Sequence, residues 1–119
     1  MKTPEQITNS LVKEFDKLND IREQSLKLSR EIIKSCSKSI RNVHRNNLDE
    51  AKQHLDEANK NYQDLRSSLK DIPELRFAGY VNDSERELIE AFLVFEFEKT
   101  NSLLEFEGMN VSASNYIQG

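Results

Sequence analysis

Two sets of residues in this chain have types and spacings that could do chemistry. The first is basic: Lys27, Arg30, Lys34, Lys38, Arg41 and Arg45, with gaps of 3-4-4-3-4. At about 100° per residue these six fall within roughly an 80° sector of a helix. A single-sign stripe of this kind can track a phosphate backbone, each contact releasing a counterion. Between Arg22 and Arg45 seven Lys/Arg stand against two Glu, in a chain whose net charge is −4. The plainer alternative is a solvated helix face. The second set is acidic. Glu87 and Glu90 are three residues apart, so their carboxylates leave one helix from neighbouring faces. Two carboxylates in an apolar setting repel each other, and a divalent cation relieves that. Mg²⁺ (or Mn²⁺) is held by one or two carboxylates with water and substrate phosphate oxygens, and can activate water for phosphodiester hydrolysis. The alternative for this pair is an ordinary surface role. Glu96 and Glu98 lie on different faces and look less like a site.

Other reactive residue types offer less. His44 falls near a helix C-terminus, where a positive side chain suits the dipole. His54 is expected on an exposed helix face. Cys36 has no partner for an internal disulfide and reads as a small hydrophobe. There is no Gly-rich phosphate loop, no Ser-His-Asp arrangement and no zinc-ligand spacing.

The elements that must position these groups are helices. With 119 residues, 36% hydrophobic, 32% charged, three Gly and two Pro, the chain has few turn signals and a lean core. That favours a few long helices. The acidic pI, near 5.3, argues against indiscriminate nucleic-acid binding by overall charge but not against a local basic patch. The absence of a signal pattern or an apolar run of about 18 residues predicts no membrane span and a cytoplasmic protein.

Thr3-Pro4-Glu5-Gln6 reads as a capping box with Pro at the first helical position. Apolar residues at Ile7, Leu11, Phe15, Leu18, Leu26, Ile33, Cys36, Ile40 and Val43 predict one helix to about Arg45. Asn46-Asn47 breaks it, and Asn47 is placed to cap a second helix. There Leu48, Ala51, Leu55, Ala58, Tyr62, Leu65, Leu69 and Ile72 repeat with gaps of 3-4-3-4-3-4-3, a heptad seam. So short a connection makes the pair an antiparallel hairpin. Pro73 ends the seam, and a loop containing Gly79 follows. Asn82-Asp83-Ser84-Glu85 then reads as a capping box for a helix to about Thr100. Leu88, Ile89, Ala91, Phe92, Leu93, Val94, Phe95 and Phe97 cover most of its directions, predicting a central helix wedged between others. Asn115-Tyr116-Ile117-Gln118 looks like the opening of a further helix. The expected architecture is an all-α bundle in a single domain, residues 1–119.

These residues resemble a known family. Arg22, Leu26-Lys27-Leu28-Ser29-Arg30-Glu31-Ile32, Ser37-Lys38-Ser39-Ile40 and Val43-His44-Arg45 resemble the first helix of the translin superfamily. Ala78-Gly79-Tyr80-Val81 with Glu87-Leu88-Ile89-Glu90-Ala91 resembles its central helix, and Val111–Gly119 the start of the next. The resemblance covers about residues 18–119. It implies single-stranded RNA or DNA as partner and octameric shells with basic interiors, built in archaeal members from one chain type. This sequence looks closest to such an archaeal member. The Glu-x-x-Glu-Ala pattern is similar to the catalytic partner, translin-associated factor X, so Glu87 and Glu90 become metal ligands and water activators. The family chain continues past the position of Gly119, and an Asp just beyond completes its acidic site. The resemblance therefore implies a C-terminally truncated form.

Three functions follow as expectations. One is a metal-dependent endoribonuclease in its intact form. Another is a protein that holds single-stranded nucleic acid without cutting it. The third is a helical oligomerisation module.

Overall fold

The computed structural model describes residues 1–107; the expected helix opening within Val111–Gly119 lies outside the described residues. Four helices follow in order: α1 (Pro4–His44), α2 (Leu48–Leu69), α3 (Pro73–Arg76) and α4 (Gly79–Glu107). The molecule measures 82 × 24 × 16 Å.

α1 is 41 residues, about 61 Å at 1.5 Å per residue. The capping box forms: the Gln6 amide donates to Thr3 Oγ1 at 3.2 Å, and the Thr3 amide to Gln6 Oε1 at 3.0 Å. At the other end Asn46 takes φ 60°, the left-handed conformation Asn tolerates. The Asn47 amide reaches back to the Asn42 carbonyl at 2.8 Å and the Asn46 amide to that of Val43 at 3.0 Å. This pair of bonds closes the last turn and reverses the chain. Asn47 was expected to cap α2 with its side chain, but that bond is absent. Its backbone is already committed to closing α1, and its carbonyl accepts from the Ala51 amide.

The hairpin forms, with Ala51, Leu55, Ala58, Leu65 and Leu69 of the heptad seam buried. The face that α1 offers them differs from the apolar series. It buries Ser25, Ser29, Ile32, Ser35, Cys36, Ser39 and Val43. Small side chains on both helices allow a close approach. Ser39, fully buried, donates its hydroxyl to the Ala51 carbonyl of α2 at 2.8 Å. Leu26, Ile33 and Ile40 are half-buried on the flank of this line. Ile7, Leu11, Phe15 and Leu18 are exposed, Leu11 at 61% and Phe15 at 67%. The reason is length. With 22 residues α2 spans only about 33 Å, so the N-terminal part of α1 projects beyond it.

Pro73 opens the one-turn α3, which replaces part of the expected loop. α4 begins at Gly79, earlier than the Asn82–Glu85 capping box implied. Ser84 is buried with its hydroxyl on the Val81 carbonyl at 2.7 Å. Glu85 reaches across instead of back: its carboxylate takes Arg76 of α3 at 2.8 Å and the Tyr62 hydroxyl of α2 at 2.7 Å. Burial, then the Glu85 carboxylate, raises the Tyr62 phenol above its ordinary pKa. This clamp ties α2, α3 and the start of α4 together.

α4 runs parallel to α1. Tyr80 borders Leu18 and Arg22 at one end, and Leu93, Val94 and Phe97 border Val43 and His44 at the other. Val81, Ser84, Ala91 and Phe95 are buried. The helix is less central than its composition predicts: Ile89, Phe92, Leu93 and Phe97 are exposed, the last at 73%. α1 and α2 cover one side of α4 and leave the other bare among the described residues.

Ser39→Leu should cost about 1–3 kcal/mol by overpacking the seam. Ser39→Ala should cost about 1 kcal/mol for the lost hydrogen bond, and Leu11→Ala less than about 0.5 kcal/mol as an exposed change. Urea unfolding of the three variants checks the order; a Leu11→Ala loss equal to that of Ser39→Leu would contradict the seam.

Candidate nucleic-acid interface

The seam fixes which way α1 faces. Ile32, Cys36, Ser39 and Val43 point into the bundle. The six bases occupy the opposite sector. Lys27, Arg30, Lys34, Arg41 and Arg45 are exposed and Lys38 is half-exposed. From Lys27 to Arg45 the stripe is about 27 Å long. None of the six forms an ion pair among the described residues. Arg41 is partly positioned by its own helix, its Nε donating to the Ser37 carbonyl at 3.5 Å. A row of uncompensated cations on a rigid rod suits a flexible polyanion, because no internal pair must break before a phosphate is met.

At the turn end the stripe meets α2. Lys38, Arg41, Asn42 and Arg45 line a shallow hollow together with Glu50 and His54. The heptad pattern placed His54 in solvent. The structure half-buries it, its side chain 27% exposed and its Nδ1 3.8 Å from Glu57 Oε2. The sequence signal for this was present but weak: His54 directly precedes the buried Leu55, one turn after Ala51 at the tight end of the hairpin. His44 is exposed in the last turn of α1, as expected, on the border with α4.

The acidic pair lies elsewhere. Glu87 is half-buried and Glu90 exposed. Glu87 faces α1 near Cys36, since burial first, and then the Glu87 charge, push the thiol up to about 11. Cys36 is fully buried, as a small hydrophobe would be. Cys36 and Lys38 are two residues apart, about 200° around α1. Glu87 acts on the first of these and does not line the hollow to which the second belongs. Glu87 and Glu90 offer two hard oxygen donors of the kind Mg²⁺ takes. Among the described residues no three His, Cys, Asp or Glu side chains gather to hold a metal. No helix among the described residues is long and apolar enough to cross a membrane.

No family model matches the chain, and no solved structure matches it. It is similar to an uncharacterized protein of the archaeon Methanocaldococcus jannaschii, 33% identical over 113 residues. The match takes in 93% of this chain and 50% of that protein, so the chain spans about half the length of its relative.

The position of Glu87 has a chemical readout. With a pKa of about 11, Cys36 should be roughly 0.1% thiolate at pH 8 and react slowly with Ellman's reagent in the folded protein. Glu87→Gln removes a negative charge that opposes thiolate formation, so the pH midpoint of alkylation should fall. A midpoint unmoved by the substitution would place Glu87 away from Cys36.

Proposed function

We propose that this chain is a translin-like protein that binds single-stranded RNA along the outer face of α1, through Lys27, Arg30, Lys34, Lys38, Arg41 and Arg45. The observation that carries this reading is the unpaired, outward-facing stripe of one sign in an otherwise acidic protein. The overall negative charge limits indiscriminate attraction, and the stripe confines phosphate contacts to one line.

Binding is favoured over cutting within one chain. Mg²⁺ or Mn²⁺ held by Glu87 and Glu90 would supply a Lewis acid and an activated water. Glu87 faces α1 near Cys36, which points into the bundle and not along the stripe. Cleavage would need a further metal ligand beside these two and would draw on assembled copies. The bare Ile89, Phe92, Leu93 and Phe97 support such self-association, being more contiguous apolar surface than a lone small bundle usually shows.

The test is fluorescence anisotropy of a labelled single-stranded RNA across a salt series. Six phosphate contacts predict a log K against log salt slope of about −4, at about −0.7 per contact. Arg30→Glu with Lys34→Glu should weaken binding by at least about ten-fold and flatten that slope by more than about 1, with the thermal melt unchanged. Binding unaffected by the double substitution would remove the stripe as the contact surface.

A further inference from the structure

We infer that the hollow at the turn end of the α1–α2 hairpin is a subsite for a terminal phosphomonoester of the bound strand; this rests on the reading of the stripe as an RNA-binding surface. Along most of the stripe the bases follow one another singly, one per helical turn, as suits successive phosphodiesters of one charge each. At the turn the spacing continues, but α2 closes over one side of it. Lys38, Arg41 and Arg45 converge on one depression, with Asn42 beside them and His54 brought in from α2. The chain reversal at Asn46, φ 60°, folds the first turns of α2 back against these bases.

The charge of the hollow suits a monoester better than a diester. Three cations stand against one carboxylate, Glu50, leaving an excess of two positive charges. A phosphomonoester carries about −1.5 to −2 at neutral pH and offers three acceptor oxygens. Arg41 and Arg45 supply planar donor forks, Lys38 an ammonium, and Asn42 and His54 further polar groups, enough to engage all three. Two of these groups are already partly engaged: Asn42 Nδ2 donates to the Lys38 carbonyl at 2.9 Å, which fixes the amide in place, and Arg41 Nε donates to the Ser37 carbonyl at 3.5 Å. Glu57 stands beside the His54 ring.

The hollow also ends the stripe. Glu50, on the α2 side of the hollow, and Asp49 beside it in the first turn of α2 repel a phosphate chain continuing past Arg45. A strand laid on α1 therefore ends its run of basic contacts at the hollow. That is the arrangement expected for reading a strand end.

The experiment compares three oligouridylates of about twelve nucleotides, long enough to span the stripe. One carries a 5′-phosphate, one a 3′-phosphate and one hydroxyls at both ends. Competition anisotropy at fixed salt should show one phosphorylated form binding about five-fold tighter or more than the hydroxyl form, and which form wins identifies the strand end. His54→Ala should bring that ratio towards one. Glu50→Gln, an exposed change that removes the opposing carboxylate, should raise it. Equal affinities for all three oligonucleotides would overturn the subsite while leaving the stripe in place. No binding of any would overturn the stripe reading and the subsite with it.

Discussion

The contact on which the rest depends is the close approach of α1 and α2, marked by the Ser39 hydroxyl on the Ala51 carbonyl at 2.8 Å. A helix pair joined by large side chains can rotate by part of a residue and still bury most of its apolar surface. Small residues allow less freedom, because the backbones themselves come near contact and packing is at interior density. Ser39 against Ala51, with Ser25, Ser29, Ser35 and Cys36 buried along the same face of α1 and Ala58 buried on α2, fixes one rotation of α1. That rotation turns all six bases away from the bundle. The tight turn at Asn46 fixes the axial register in the same way, setting Lys38, Arg41 and Arg45 against the first turns of α2. One packing choice thus sets both the direction of the stripe and the content of the hollow at its end.

The same choice explains what is left bare. The hairpin covers only the C-terminal part of α1, and α4, tied to α2 and α3 by the Arg76–Glu85–Tyr62 clamp, lies along the hairpin on one side only. Phe15 and Leu11 at one end and Ile89, Phe92, Leu93 and Phe97 along α4 find no cover among the described residues. A chain of this size with so much uncovered apolar surface is suited to association. The basic face lies elsewhere on the molecule, so copies joined through α4 would keep their stripes open. On the proposed reading, assembly would draw on α4 and phosphate binding on α1.

The all-α class, the capping box at Thr3, the break at Asn46 and the α2 seam were legible because each rests on a local rule that tertiary packing had no reason to override. Other features were not. The buried face of α1 was misread because hydrophobic periodicity favours large residues, and here small polar ones make the closest contact; Ser39 gives no signal until its partner Ala51 is in place. The Asn82–Glu85 pattern looked like a helix start, but Glu85 was claimed by Arg76 and Tyr62. Those partners lie nine and 23 residues away, beyond the reach of a local rule. The stripe itself could be read from spacing alone. His54, which joins its end, was only faintly marked, by directly preceding the buried Leu55, while the heptad pattern put it in solvent. Glu87 and Glu90 were legible as a pair, but that Glu87 acts on Cys36 and does not line the hollow appears only once α4 is placed.

The central claim is that the outward face of α1, oriented by the serine–alanine seam, is the surface that meets RNA. Amide chemical-shift mapping with unlabelled single-stranded RNA tests it most directly. Perturbations should concentrate between Lys27 and Arg45 and reach His54, with residues 89–97 of α4 unmoved. Perturbations confined to α4, or none along Lys27–Arg45 at saturating RNA, would contradict it.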